Sequence, residues 1–143
     1  TYKDIISKLI CTVKEIAPEI ESKRIGMRYI NEFECIDGKN ISKIFNKRLS
    51  TIVKQMASQS EQTRIIGMEE YNNDGYKLRL QYGVPNKYYP SIITIYNLLL
   101  DIDSYIESTN SVDEWDAIIE KLNHAAYTKF STEINPTYLM GLK

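Results

Sequence analysis

Arg24-Ile25-Gly26-Met27-Arg28-Tyr29-Ile30-Asn31 is the stretch whose reading decides the fold. Successive side chains of a β-strand leave from opposite faces. Read as a strand continuing to residue 35, this segment puts Ile25, Met27, Tyr29 and Phe33 on one face. Arg24, Gly26, Arg28 and Glu32 fall on the other. The first row calls for a core. The second calls for counter-charges, solvent or a ligand, because an unpaired guanidinium is not buried without them.

A matching pair of acids lies downstream in Leu100-Asp101-Ile102-Asp103. Two positions apart on a strand, Asp101 and Asp103 share a face. If that strand neighbours the arginine strand, Arg24 and Arg28 can fork onto Asp101 and Asp103 as charge-assisted pairs. This internally neutralised row is the favoured reading. A ligand-binding surface built from Arg24, Arg28, Asp101 and Asp103 is the competing one. A metal site ranks third, since no further Asp, Glu or His stands nearby at ligand spacing.

Working outward, residues 2–17 carry Tyr2, Ile5, Ile6, Leu9, Ile10, Val13, Ile16 and Ala17 at helical spacing, stopped by Pro18. Asp37-Gly38 predicts a turn. Ile41, Ile44, Phe45, Leu49, Ile52, Val53 and Met56 predict one helix over 41–56, with Ser50-Thr51-Ile52 its weakest part. Residues 63–72 and 76–84 read as a hairpin joined by Asn73-Asp74-Gly75. In its second arm Tyr76, Leu78, Leu80, Tyr82 and Val84 alternate with Lys77, Arg79, Gln81 and Gly83. Pro85 and Pro90 bracket a loop around Tyr88 and Tyr89, and 91–106 reads as a long strand. Ser111 with Glu114 forms a capping box for a final helix. Its buried stripe is Trp115, Ile118, Ile119, Leu122, Ala126 and Phe130. Strands that follow one another without crossover helices make a mainly antiparallel sheet. The expected fold is therefore α+β: about four strands, helices at both ends of the chain and one inserted helix.

The chain's 143 residues suit a single domain over 1–143. Lys and Arg number 18 against 19 Asp and Glu, so no global charge draws it to nucleic acid or membrane. No apolar run approaches a membrane span, and a soluble cytoplasmic protein is expected. The opening Thr1-Tyr-Lys-Asp runs at once into a helical pattern and so is not read as a signal peptide, and the missing Met suggests a fragment of a longer protein or a trimmed chain. Cys11 and Cys35 are too few and too scattered for a disulfide framework or a zinc site, and reduced, partly buried thiols are expected. Eleven tyrosines against three Phe and one Trp suit interfaces and strands alike.

Three further features have ordinary readings. His124 falls on the opposite side of its helix from Trp115, a solvated position without a nucleophile context. Lys39, Lys43, Lys47, Arg48 and Lys54 form a basic run in which Lys43, Lys47 and Lys54 share a helix face. It is read as a solvated face before a phosphate-contacting one. Gly26 and Gly67, isolated within strands, predict bulges or a close backbone approach.

Three segments in register carry a resemblance: Arg24–Asn31, Leu100-Asp101-Ile102-Asp103, and His124 followed at H-x5-F spacing by Phe130. They resemble the R-I-G-L-R-Y-I-N strand, the L-D-I-D strand and the terminal helix of a sporadically distributed family of bacterial and archaeal proteins, over most of residues 1–134. Members are longer, with a preceding strand-rich half, so the resemblance implies that this chain is a C-terminal half. It implies no catalytic residue, cofactor or metal.

No catalytic constellation stands out, so the leading expectation is a non-enzymatic binding or assembly module that associates with itself or another protein. A ligand- or nucleotide-binding enzyme or sensor using the Arg/Asp pocket is the alternative. Nucleic-acid binding through the basic helix is the third.

Overall fold

The computed structural model describes residues 2–35, 40–57, 61–73 and 75–142. In chain order the elements are α1 (Tyr2–Ile16), β1 (Glu21–Ser22), β2 (Ile25–Cys35), α2 (Ile41–Ile44) and α3 (Lys47–Met56). There follow β3 (Ile65–Asn73), β4 (Tyr76–Val84), β5 (Tyr96–Ile106), β6 (Asn110–Ser111), a 3-10 turn over Val112–Glu114, α4 (Trp115–Glu133) and α5 (Pro136–Gly141). The α+β class and the antiparallel sheet follow the sequence pattern. The main sheet has the order β2-β5-β4-β3, and β1 pairs with β6 as a separate two-residue ribbon.

Register explains the two faces. Ile25 pairs with Ile106, Tyr29 with Ile102, and Cys35 with Tyr96; Leu80 faces Ile102 from β4. These odd positions of β2 and even positions of β4 and β5 meet the helices. Leu80, Leu98, Leu100 and Ile102 are fully buried there with Phe45, Leu49, Leu122 and Ile134. Ser104 Oγ donates to the Leu122 carbonyl at 2.8 Å, and the Tyr29 hydroxyl donates to Asn123 Oδ1 at 2.6 Å, tying α4 to the sheet. On the other face no helix packs among the described residues.

The helix expected over 41–56 is two. Phe45 is extended and fully buried, and it bridges Ile134 antiparallel. The Asn46 amide donates to the Glu133 carbonyl, and the Asn135 amide donates to that of Ile44, both at 2.8 Å. The chain thus leaves the helix to pair with the C-terminal segment. Asn46 then restarts it as an N-cap whose side chain accepts from the Leu49 amide. The break lies before, not within, the Ser50-Thr51-Ile52 run. β5 likewise starts at Tyr96, paired with Cys35, and not near residue 91. Residues 91–95 hold instead by the Ile93 amide donating to the Gln62 carbonyl.

Ser111 caps the final helical segment as expected, its side chain accepting from the Asp113 amide while Glu114 reaches back to the Ser111 amide. The turn foreseen at Asp37-Gly38 lies outside the described residues, as does Asp74 of the hairpin turn. Register runs unbroken through Gly26 and Gly67, so neither is a bulge. A Cβ on Gly67 would lie 2.4 Å from the Tyr82 ring, so this glycine makes room for a tyrosine.

Candidate functional site

On the uncovered face the sheet aligns four charged rows. Arg28 lies opposite Asp103, which lies opposite Arg79 on the far side. The pairing itself is diagonal. Arg28 forks onto Asp101, Nε to Oδ1 at 3.0 Å and Nη2 to Oδ2 at 2.6 Å. Arg24 Nη2 reaches Asp103 Oδ2 at 3.0 Å. Gly26 makes the second pair geometrically available. With no side chain between them, the Arg24 guanidinium lies 4.5 Å over the Tyr105 ring, and a Cβ on Gly26 would stand 3.1 Å from Arg24 Nη1.

All four residues singled out from sequence are therefore brought together, and their charges are matched within the group. Asp101 is buried although no helix covers it, because Arg28 itself lies across it. Hydrogen bonding and the negative charge of Asp101 raise the Arg28 pKa further above its ordinary value. Neighbouring residues on the same face continue the pattern: Arg79 pairs with Glu70 at 3.0 Å and Lys77 with Glu107 at 2.6 Å. Sequence reading left these two pairs out, though Lys77 and Arg79 already stood on the wet face of β4. The cleft among Arg28, Arg79, Gln81, Asp101 and Asp103 is about 70 Å³. Pockets that enclose a small organic ligand run to roughly 300 Å³ or more.

A second charged cluster, on the helix-covered face, was not foreseen. Glu133 is buried at the end of α4 and accepts from Arg48 Nη2 at 2.6 Å, Lys129 Nζ at 2.8 Å and Asn46 Nδ2 at 3.0 Å. Arg48 also binds Glu69 at 2.8 Å, and Glu69 accepts from the hydroxyls of Tyr82, at 3.0 Å, and Tyr71. Burial pushes the Glu69 carboxyl up, but the hydrogen bonds from Tyr71, Arg48 and Tyr82 outweigh it, and its pKa is lowered. Burial and the bond to Glu69 push the Tyr82 phenol up to about 12. Burial works against charging Lys129, yet Glu133 and Tyr71 raise its pKa on balance. The cluster ties α3, α4, β3 and β4 together. Its legible signal was the phase of Glu133, which continues the Ala126–Phe130 stripe and so demanded a buried partner.

The remaining candidates are dispersed. His124 is exposed, beside Lys121, Thr128 and Tyr76 in an open groove of about 530 Å³. Arg48 of the basic run turns inward to Glu69 and Glu133. Lys43 and Lys47 stand on different helices, so the common face expected from one continuous helix does not follow from helical phase. Lys39 lies outside the described residues. Cys11 is exposed and Cys35 buried, which corrects the expectation of two partly buried thiols. Among the described residues no group of three or more His, Cys, Asp or Glu is placed to hold a metal ion, and no helix is long and apolar enough to cross a membrane.

No protein-family model, curated protein or solved structure matches this chain.

Proposed function

We propose that this chain is a non-enzymatic interaction module that associates with itself. One observation carries the reading: helix α1 leaves a row of apolar side chains exposed. Helix α1 buries Ile10 but exposes Tyr2, Ile5, Leu9 and Ile16 by 67%, 59%, 60% and 78%. Isolated exposed apolar residues are ordinary, whereas several along one helix mark a contact surface. The resemblance to the sporadic prokaryotic family through Arg24–Asn31, Leu100–Asp103 and the His124/Phe130 spacing agrees with this, since it implies no catalytic residue. A cytoplasmic location is part of the same proposal.

Sedimentation equilibrium from about 1 to 200 μM tests it, a range that brackets weak specific association. Rising average mass is expected; a monomer throughout overturns the self-association. The competing sensor reading needs Arg24, Arg28, Asp101 and Asp103 to hold a ligand rather than one another. Thermal-shift screening with nucleotides and divalent cations is expected to leave the melting temperature unmoved. A ligand-induced rise that disappears in Arg28→Ala would establish the pocket instead.

A further inference from the structure

We propose that the partner seated on α1 is a second copy of this chain, its α1 docked antiparallel, with Lys8 of each copy facing Glu15 of the other. This rests on the self-association reading and adds the surface and the geometry to it.

The apolar face of α1 is wider than the body it packs on. Ile6, Ile10 and Val13 form the inner stripe, buried or half-buried toward the 3-10 turn and α4. Two ion pairs clamp the helix there, Lys3 with Glu120 at 2.7 Å and Lys14 with Asp113 at 3.3 Å. Beside this stripe runs a second one: Tyr2, Ile5, Leu9, Thr12 and Ile16, all exposed. Their spacings of 3, 4, 3 and 4 are those of the a and d positions of a coiled-coil seam. A helix that carries such a seam away from its own body is built to receive another helix.

Charge selects the occupant. With Tyr2, Leu9 and Ile16 at a, and Ile5 and Thr12 at d, the flanking g positions fall on Lys8 and Glu15. The other flank, Ile6 and Val13, is occupied by the protein's own body. In an antiparallel pair, a layers meet d layers and g residues face g residues. Ile5 then packs on the second copy's Ile16, and Leu9 on its Thr12. This same alignment sets Lys8 against the second copy's Glu15 and, by twofold symmetry, Glu15 against its Lys8. A parallel pair would instead send both g residues toward e positions, which are apolar and covered. Among the described residues the side chains of Lys8 and Glu15 make no hydrogen bond or ion pair, the Lys8 carbonyl alone accepting from the Thr12 hydroxyl at 3.0 Å. The surface is therefore self-complementary in the way a twofold interface requires.

The test is a charge swap read by sedimentation equilibrium at low ionic strength, with circular dichroism confirming that each variant is folded. Lys8→Glu sets two like-charged contacts in the dimer and is expected to weaken it about tenfold, as is Glu15→Lys. The double variant Lys8→Glu/Glu15→Lys is expected to restore wild-type association to within about twofold. Leu9→Glu is expected to abolish dimerisation. Single swaps that leave association unchanged, or a double swap that fails to restore it, overturn the antiparallel geometry. If the wild type still dimerises in that case, self-association through another surface stands. A wild-type monomer at every concentration overturns both readings.

Discussion

The two charged clusters occupy opposite faces of one sheet and use the same residue types, yet their surroundings differ. Glu133 is enclosed by α3, α4 and the α2–α3 junction, with Arg48, Lys129 and Asn46 as its partners among the described residues. Asp101 is equally buried but lies under a single flexible arginine, on a face where no described helix packs. Remove the arginine and water takes its place. Enclosure, not the count of ion pairs, decides what each cluster contributes: a surface pair is worth little, whereas breaking an enclosed one strands a charge.

The largest consequence is expected at Glu133. Glu133→Ala leaves Arg48 and Lys129 side by side without their shared carboxylate, and should destabilise the fold by about 3 kcal/mol in urea denaturation. A loss below about 1 kcal/mol would erase the distinction between the faces. Next comes alkaline pH. Tyr82 titrates near 10 when unfolded and at about 12 when folded. The folded state thus binds the proton more tightly, so its contribution is complete below pH 10 and is lost as pH rises toward 12. The loss should be roughly 2 kcal/mol, and Tyr82→Phe should flatten that part of the stability profile. An unchanged slope in the variant would place the alkaline sensitivity elsewhere.

On the open face the effects should be smaller. Arg28→Ala exposes Asp101 to solvent and should lower stability by about 1 kcal/mol, an effect that shrinks in high salt. A loss matching that of Glu133→Ala would mean that the uncovered lattice is as enclosed as the other. Smallest is Gly26→Ala. The new methyl meets the movable end of Arg24 and the Tyr105 Cβ at 3.3 Å, so about 0.5 kcal/mol is expected, with Arg24 displaced from Tyr105. Crystallography of the variant would show whether Arg24 swings away or the strand itself shifts.

The open face was the more legible of the two. Period-two alternation in 24–35 and the two-residue spacing of Asp101 and Asp103 within the strand expected over 91–106 define its charged rows, and the pairing is expected on the condition that the two strands are neighbours. The covered cluster was harder because its members are far apart in the chain: Arg48 joins Glu69 and Glu133 only after α3 and α4 are placed. The α2–α3 break was hidden for a related reason. Phe45 has helical phase with its neighbours, and only its bridge to Ile134 pulls it out of the helix. Helix α1 shows the opposite limit. Its apolar positions were visible in full, but periodicity alone does not separate the packed stripe from the exposed one.

The central proposal is that contact is made through α1, while Arg24, Arg28, Asp101 and Asp103 satisfy one another within the sheet. Amide chemical shifts followed by NMR from dilute to concentrated protein test it most directly. The account predicts concentration-dependent shifts along Tyr2–Ile16, with Arg24, Arg28, Asp101 and Asp103 unmoved. Shifts centred on those four residues, or none anywhere on α1, would contradict it.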